Sequence, residues 1–264
     1  MHFALLTWPN TGPSLDVFPR AVASPARRTA IAVTLWAPLR RALAGIEPRL
    51  AIAWLASLAG LLLPMGGWAA GGHHAVDDAA LLEPGQCQLE AWAEAARGHR
   101  QQHLGPACHV LGLEAGLNLD RDAAGAHGAG LQLKWARELR PGLGAGLIWA
   151  TGWQAGATRF AGQMLLLPLS WTPHEDLALH LNLGREFRPH GADASRYGAA
   201  LEWRVAARWQ AMVEGWRDAL GPQRRLGLRY AAGERVSIDL SRAQAPDACR
   251  GAWWTLGLNW VTDR

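Results

Sequence analysis

Charged and polar side chains recur at alternate positions through much of the sequence after residue 86. In LALHLNLG, for example, His180 and Asn182 alternate with leucines. Such a row either lines a polar path for a solute or forms an ion-pair network that fills an interior, since unpaired buried charge is costly. The residue types are compatible with both roles. The candidate lining residues are Glu90, Glu114, Lys134, His180, Glu186, Glu202, Arg204, Glu214, Arg229 and Asp239.

Residues for covalent, phosphate or metal chemistry are sparse. A serine hydrolase needs a serine with a histidine and an orienting group in reach. No GxSxG motif is present, the serines after residue 70 are few, and Ser237 is near no obvious histidine. The sequence also lacks CxxC pairs, Cys/His metal spacing and a glycine-rich phosphate loop. We therefore expect a protein that is not an enzyme and holds no cofactor or metal.

The stretch GGHHAVDDAALLEPGQ is polar and rich in turn residues, and it shows no hydrophobic period. Its paired His73 and His74 could bind copper or nickel near a new N-terminus. The composition favours a flexible tail instead. We assign residues 71–86 to an N-terminal segment that lies in the periplasm or in a barrel lumen.

Two cysteines are placed for a cross-strand disulfide. A register that pairs residues whose numbers sum to 195 sets Cys87 opposite Cys108, and an oxidising compartment favours the bond. Two separate thiols are the alternative. This register turns Val110 outward, whereas odd-numbered residues face outward from Leu111. A β-bulge near Val110–Leu111 would reconcile the two parities.

The elements that position these residues are strands. The segment AWWTLGLNW places Trp254, Leu256, Leu258 and Trp260 on one face, and a period of two is a strand signal. The same pattern recurs about eleven times from residue 87 onward, with no helical segment, which indicates an all-β fold. An antiparallel barrel with both ends on one side needs an even number of strands. We expect twelve, with the missing strand at 75–82 or within 104–127, and ten as the fallback.

The first 70 residues are typical of an export leader. Arginines precede the apolar run Leu50–Met65, and the small residues of GGWAAGG follow, with cleavage expected after Ala69 or Gly71. The long stretch 1–49 suggests that translation starts within it. Residues 1–69 hold six basic and two acidic side chains, a net of 6 − 2 = +4, which equals the charge of the whole sequence. The remainder is neutral, which argues against a nucleic-acid partner.

The apolar face of these strands can point inward, as in a soluble barrel, or outward into lipid. The leader, strands of about 9–11 residues and the tryptophan placement favour an antiparallel up-and-down transmembrane barrel over residues 87–264. Short connections alternate with longer ones such as RDALGPQRR, which indicates short periplasmic turns and longer outer loops. This orientation places Trp135, Trp171, Trp209 and Trp260 in a periplasmic aromatic girdle, and Trp153 and Trp216 in an outer one.

A family resemblance points the same way. HAVDDAALLEPGQCQLEAW resembles the opening of bacterial outer-membrane proteins of the phenol-degradation meta-pathway family, and LGLRYAAGERVSIDLSRA with WWTLGLNW resembles their closing strands. The resemblance implies a barrel that passes small hydrophobic compounds. The last strand also resembles the signal read by the barrel-assembly machinery, through Thr255, Gly257 and Trp260. It departs from that signal where residues 261–264 replace a terminal aromatic residue.

Three functions follow as expectations. The first is a channel or transporter for small, hydrophobic or aromatic molecules, in the outer membrane of a Gram-negative bacterium and exported through the periplasm. The second is a plugged structural or surface-interaction barrel without transport. The third is a soluble periplasmic protein with a lipocalin-like pocket. For the barrel we expect outer-membrane lipid and the barrel-assembly machinery as partners, and a monomeric state.

Overall fold

The computed structural model describes residues 73–97, 99–154, 159–189, 191–246 and 251–262. The predicted leader (1–70), with its cleavage site, lies outside these residues. In the part of the chain that is described, no helix is long and apolar enough to cross a membrane. The strands are β1 (Cys87–Ala96), β2 (His99–Val110), β3 (Leu113–Asp122), β4 (His127–Arg140), β5 (Leu143–Gln154), β6 (Arg159–His174), β7 (Leu177–Phe187), β8 (Ala194–Ala206), β9 (Trp209–Asp218), β10 (Gly221–Ala231), β11 (Val236–Gln244) and β12 (Ala252–Val261).

These strands form a closed antiparallel barrel. Each strand pairs with the next along the chain, and β1 pairs with β12 from Gln88↔Val261 to Ala95↔Trp254. Closure leaves no strand edge unpaired, as a bilayer requires of a sheet. The predicted all-β, up-and-down barrel of twelve strands is confirmed.

The missing strand lies within 104–127, where the sequence pattern had merged two strands. β2 ends at Val110 and pairs with β3 through Val110↔Leu113. The two residues between them, Leu111 and Gly112, have φ angles of 53° and 80°. A two-residue turn of this kind, and not the predicted β-bulge near Val110–Leu111, changes the parity of the outward face.

The Leu111–Gly112 turn gives a stability prediction. Leucine is disfavoured at positive φ, and Leu111 is 97% exposed, so its side chain contributes little packing. Leu111→Asn should raise the free energy of unfolding by about 0.5–1 kcal/mol, since Asn-Gly suits this turn. Urea unfolding of the refolded barrel measures the change. Gly112→Ala is the matched control and should lower the stability; a lower stability for Leu111→Asn as well would contradict the turn assignment.

The apolar faces of the strands point outward. Leu181, Leu226 and Leu256 are 53%, 66% and 57% exposed, while the polar residues between them are buried. This arrangement is that of a transmembrane barrel, whose exterior meets lipid. The soluble lipocalin-like alternative required the opposite arrangement and is wrong.

The two ends of the barrel carry different connections. At the end where β1 begins and β12 ends (the terminal end), the connections are 111–112, 141–142, 175–176, 207–208 and 232–235. At the opposite end (the loop end), they are 97–98, 123–126, 155–158, 188–193, 219–220 and 245–251. The expectation of a long connection at RDALGPQRR is wrong, because β9 and β10 continue to a two-residue turn there.

A disulfide joins Cys87 and Cys108 at the terminal end. The two residues are direct partners in the register that was predicted from their spacing. Cys87 also exchanges hydrogen bonds with Thr262 just beyond β12, through Cys87 N–H to Thr262 Oγ1 (2.9 Å) and Thr262 N–H to Cys87 O (2.8 Å). The start of β1 is therefore fastened to both neighbouring strands.

Candidate functional site

The interior of the barrel holds a segment of the chain itself, residues 73–82, which we call the N-terminal plug. The chain leaves β1 at Cys87, makes a turn in which Gln86 N–H donates to Glu83 O (2.9 Å), and enters the barrel. His73, Val76 and Asp78 are only 0%, 1% and 3% exposed. The expectation of a flexible tail for this stretch is wrong, because the surrounding wall supplies partners for its polar groups.

The middle of the plug is bound through its backbone. Asp77 N–H donates to Asn182 Oδ1 (2.7 Å), and Asn182 Nδ2 donates back to Asp77 O (2.8 Å). Ala79 N–H donates to Ser170 Oγ (2.7 Å). Residues 73–86 contain no strand, so wall side chains and not a β-ladder satisfy these groups. The ring of paired strands therefore does not depend on backbone pairing with the plug.

The inner tip of the plug is held by a buried ion pair on β9 and β10. Glu214 accepts hydrogen bonds from the N–H groups of Ala75 and Val76, each at 3.0 Å from Oε2. Arg225 Nη1 lies 2.9 Å from Glu214 Oε1 and also donates to the carbonyl of His73. Both charged side chains are 1% exposed. The pair, which we call the clamp, therefore binds the plug backbone through one acceptor, Glu214, and one donor, Arg225.

A second ion pair ties the plug to β4. Lys134 Nζ lies 2.5 Å from Asp78 Oδ1, and both side chains are buried. At the terminal end, Leu82 N–H donates to Glu114 Oε2 (3.2 Å) on β3. The plug is thus held along its whole length, from the wall of β3 and β4 to that of β9 and β10.

Glycines in the wall make room for the plug. A Cβ atom on Gly144 would lie 2.9 Å from Ala79 O, and one on Gly257 would lie 2.9 Å from His73 Nδ1. A Cβ on Gly198 would lie 2.8 Å from Val76 Cγ2. Since real Cβ atoms do not approach so closely, these positions accommodate the plug only as glycine.

A small apolar cluster surrounds the inner tip and corrects one prediction. Ala75 and Val76 pack with Trp216, Trp253 and Ala243. The Trp216 and Trp253 rings meet edge to face at 6.5 Å. Trp216 was predicted as part of the outer girdle, but it is 7% exposed, because even-numbered residues of β9 face inward. Its assignment to a lipid-facing girdle is wrong.

The other girdle residues lie on the outer surface. Trp135, Trp171, Trp209 and Trp260 are 46%, 51%, 44% and 46% exposed and are carried near the terminal end of their strands. Trp153 is exposed near the loop end of β5, edge-on to Phe160 at 6.3 Å. Indole rings at these levels suit the interfaces of a bilayer.

The predicted lining residues form separate pairs and not one site. Eight of them are buried on the inward face: Glu90, Glu114, Lys134, His180, Glu202, Glu214, Arg229 and Asp239. Arg229 Nε lies 2.6 Å from Asp239 Oδ1, and His180 Nδ1 lies 2.7 Å from Ser170 Oγ. Glu186 is half-buried and pairs with Arg196 at 3.1 Å. Arg204 is half-exposed and lies 3.7 Å from Asp176.

Sequence reasoning missed Arg225 and Arg196, which hold the plug. Arg225 is on the same face of β10 as Arg229, at a spacing of four, so the strand alternation could have identified it. Arg196 is buried on β8, where its Nη2 donates to Ala75 O at 3.3 Å. The role of both depends on the plug, which has no periodic signal.

Metal-ligand geometry occurs at one place among the described residues. The ligand atoms of His174, Glu175 and Asp176 lie within 4.8 Å of one another in the turn between β6 and β7. The group is largely exposed, which is typical of a solvated polar turn. His73 and His74 belong to no such group: their rings lie 4.6 Å apart, and His73 Nε2 is 2.6 Å from Ser241 Oγ.

Comparisons with known proteins support this fold. A family model described as "Uncharacterised conserved protein UCP029691" matches residues 58–261. A KdgM porin solved in complex with disordered oligogalacturonate is 8% identical, with a TM-score of 0.57 over 67% of this chain and 99% of that chain. A NanC porin is 9% identical, with a TM-score of 0.52 over 66% of this chain and 98% of that chain. No curated protein matches the sequence. The resemblance to the phenol-degradation family is not confirmed.

Proposed function

The chain belongs to the family described as uncharacterised conserved protein UCP029691, and we propose that it is an outer-membrane channel for small solutes that its own N-terminal plug keeps closed. One observation carries the proposal. The barrel wall is complete without the plug, and the plug is attached to it by side-chain contacts and not by strand pairing.

The outer membrane is the location that the surface supports best. The outward apolar face and the tryptophans near both ends are typical of bacterial outer-membrane barrels, and the disulfide fits passage through an oxidising periplasm. The leader pattern in residues 1–70 supports export through the periplasm. In this setting we propose outer-membrane lipid and the barrel-assembly machinery as partners, and a monomeric barrel.

The chemistry of the wall supports polar cationic solutes over the aromatic compounds implied by the family resemblance. Inward carboxylates outnumber inward cationic side chains among the described residues. The carboxylates are those of Glu90, Glu94, Glu114, Asp120, Glu186, Glu202, Glu214 and Asp239, against Lys134, Arg196, Arg204, Arg225 and Arg229. An excess of carboxylates in a narrow passage attracts cations and repels anions.

The second candidate, a permanently plugged structural barrel, is favoured by one observation. Asp78 and Lys134 form a buried ion pair between plug and wall, and separating such a pair leaves two uncompensated charges. If the plug never leaves, the barrel would act only through its surface. Conductance distinguishes the two candidates.

The test is planar-bilayer recording of the full-length refolded protein. In a potassium chloride gradient, we expect brief openings with a reversal potential of the sign set by potassium, and a several-fold preference for potassium over chloride. A preference for chloride would contradict the proposed solute class. A silent bilayer, with and without residues 73–82 in the inserted protein, would contradict the channel and leave the structural barrel.

A further inference from the structure

Three arginines project outward near the loop end of β9, β10 and β11. Arg217, Arg224 and Arg242 are all exposed, and we call them the arginine row. Arg224 is opposite Gly215 on β9, so Arg217 is its diagonal neighbour two residues further along. It is also opposite Gln244 on β11, so Arg242 is its diagonal neighbour on the other side. Same-face diagonal neighbours lie roughly 7–8 Å apart, which brings three positive charges close together.

The outward face around the arginine row offers no carboxylate. All residues of β9 to β12 are described, and the others on this face are uncharged. They are Trp209, Ala211, Val213, Gly215, Pro222, Leu226, Leu228, Tyr230, Val236, Ile238, Leu240, Gln244, Ala252, Trp254, Leu256, Leu258 and Trp260. The charge of the row is therefore not compensated on this face of the four strands.

Neutral groups orient two of the guanidinium groups. Arg224 Nη2 donates to Gln244 Oε1 at 3.1 Å. The Arg242 guanidinium carbon lies 5.8 Å from the centre of the Trp254 ring, and this tryptophan is 54% exposed. These contacts hold the side chains at the surface and leave donors free to meet an anion.

The opposite end of the barrel has a different charge pattern. Near the terminal end of β4, the exposed Arg137 and Arg140 flank the exposed Glu138. Exposed Arg208 lies in the turn before β9. The arginine row at the loop end carries positive charge only and adjoins the apolar band, whereas the charges at the terminal end of β4 are mixed.

We propose that the arginine row binds the phosphate groups of a phosphorylated lipid in the leaflet at the loop end. Guanidinium groups recognise phosphate through paired hydrogen bonds. Directly below the row, Leu226, Leu240 and Leu256 form an exposed apolar surface on which acyl chains can lie. That continuity favours a lipid over a free anion. The inference rests on the membrane location given under the proposed function, and it concerns the outer wall and not the passage.

The test measures lipid binding by the full-length refolded barrel in a neutral detergent. Diphosphoryl lipid A, its dephosphorylated form and inorganic phosphate serve as probes, and native mass spectrometry counts bound lipid. Wild type should retain the diphosphoryl form preferentially. The variant R217Q/R224Q/R242Q should bind it roughly a hundredfold more weakly, given the attraction of each arginine to anionic lipid. The matched control R137Q/R140Q/R208Q should bind within about twofold of wild type.

Three results would overturn the inference: equal loss in the control variant, equal binding of the dephosphorylated lipid, or displacement of the lipid by an equimolar amount of inorganic phosphate. Heat-modifiable gel migration checks that each variant is folded. The arginine row is on the outer wall, so its variant should keep wild-type conductance. Loss of lipid binding with conductance intact would confirm the row, and a silent barrel that still binds lipid would contradict only the channel.

Discussion

Removal of residues 73–82 from the otherwise complete chain should raise the time-averaged conductance of the inserted barrel roughly tenfold or more. The plug occupies the interior from Glu114 near the terminal end to Glu214 on the far wall. The wall strands pair without it, so the barrel should still close and insert. The measurement is single-channel recording in planar bilayers, with liposome swelling as the solute-flux readout.

A reversible lock provides the matched control. Ala79 N–H donates to Ser170 Oγ at 2.7 Å, so the side chains of these two positions lie close together without a new Cβ atom in the wall. In Ala79→Cys/Ser170→Cys, oxidation should hold the plug in place and abolish openings, and reduction should restore them. Wild type treated with the same reductant controls for loss of the Cys87–Cys108 bond. Equal conductance of the deletion variant and wild type, or openings in the locked form, would contradict closure by the plug.

Replacement of Glu214 by alanine is the substitution with the largest expected effect on stability. It should lower the free energy of unfolding by about 3–5 kcal/mol, because Arg225 would keep a buried charge with reduced compensation. The N–H groups of Ala75 and Val76 would also lose their acceptor. Urea unfolding in lipid vesicles, followed by tryptophan fluorescence, measures the change.

Two further variants separate the clamp from a general effect of lost charge. Glu186→Ala removes a half-buried partner of Arg196 and should cost clearly less than Glu214→Ala. The double variant Glu214→Ala/Arg225→Met should recover part of the loss, since the buried guanidinium that lost its main partner is then absent. Glu94, which also contacts Arg225 at 3.4 Å, keeps the hydrogen bonds donated by Trp253 and Thr255. Two results would show that the clamp is not the source of the stability. One is an equal loss of unfolding free energy in Glu214→Ala and Glu186→Ala. The other is a loss in the double variant that equals the sum of the losses in Glu214→Ala and Arg225→Met.

The strands and their register were predictable because alternation is a local property of the sequence. The Cys87–Cys108 pairing followed from the same alternation. The turn at Leu111–Gly112 escaped because leucine is not a usual residue at positive φ. Trp216 was assigned by its level along the strand, although the alternation of β9 placed it on the inward face. For Trp216, the alternation was the better guide than the level along the strand.

The sequence left the place of the plug open between the periplasm and the lumen, because nothing in its own residues distinguishes a bound segment from a solvated tail. Small and polar residues without a period are found in both. Its order comes from acceptors and donors that lie more than a hundred residues away, such as Asn182, Glu214 and Arg225. Only the closed wall brings them together. The lining residues, in contrast, were predictable, because the alternation within each strand assigns them to the inward face.

The attachment of the plug to β1 determines how the interior would close again. Residues 83–86 are a short tether, and the disulfide at Cys87 fixes its base to β2. A released plug would stay within about 50 Å of the barrel mouth, given roughly 3.5 Å per extended residue. Its effective concentration there would be of millimolar order, independent of how many copies the membrane holds. A free solute that competes for the same wall contacts would need a ratio of concentration to Kd above that of the tethered plug, so the tether sets a threshold for transport.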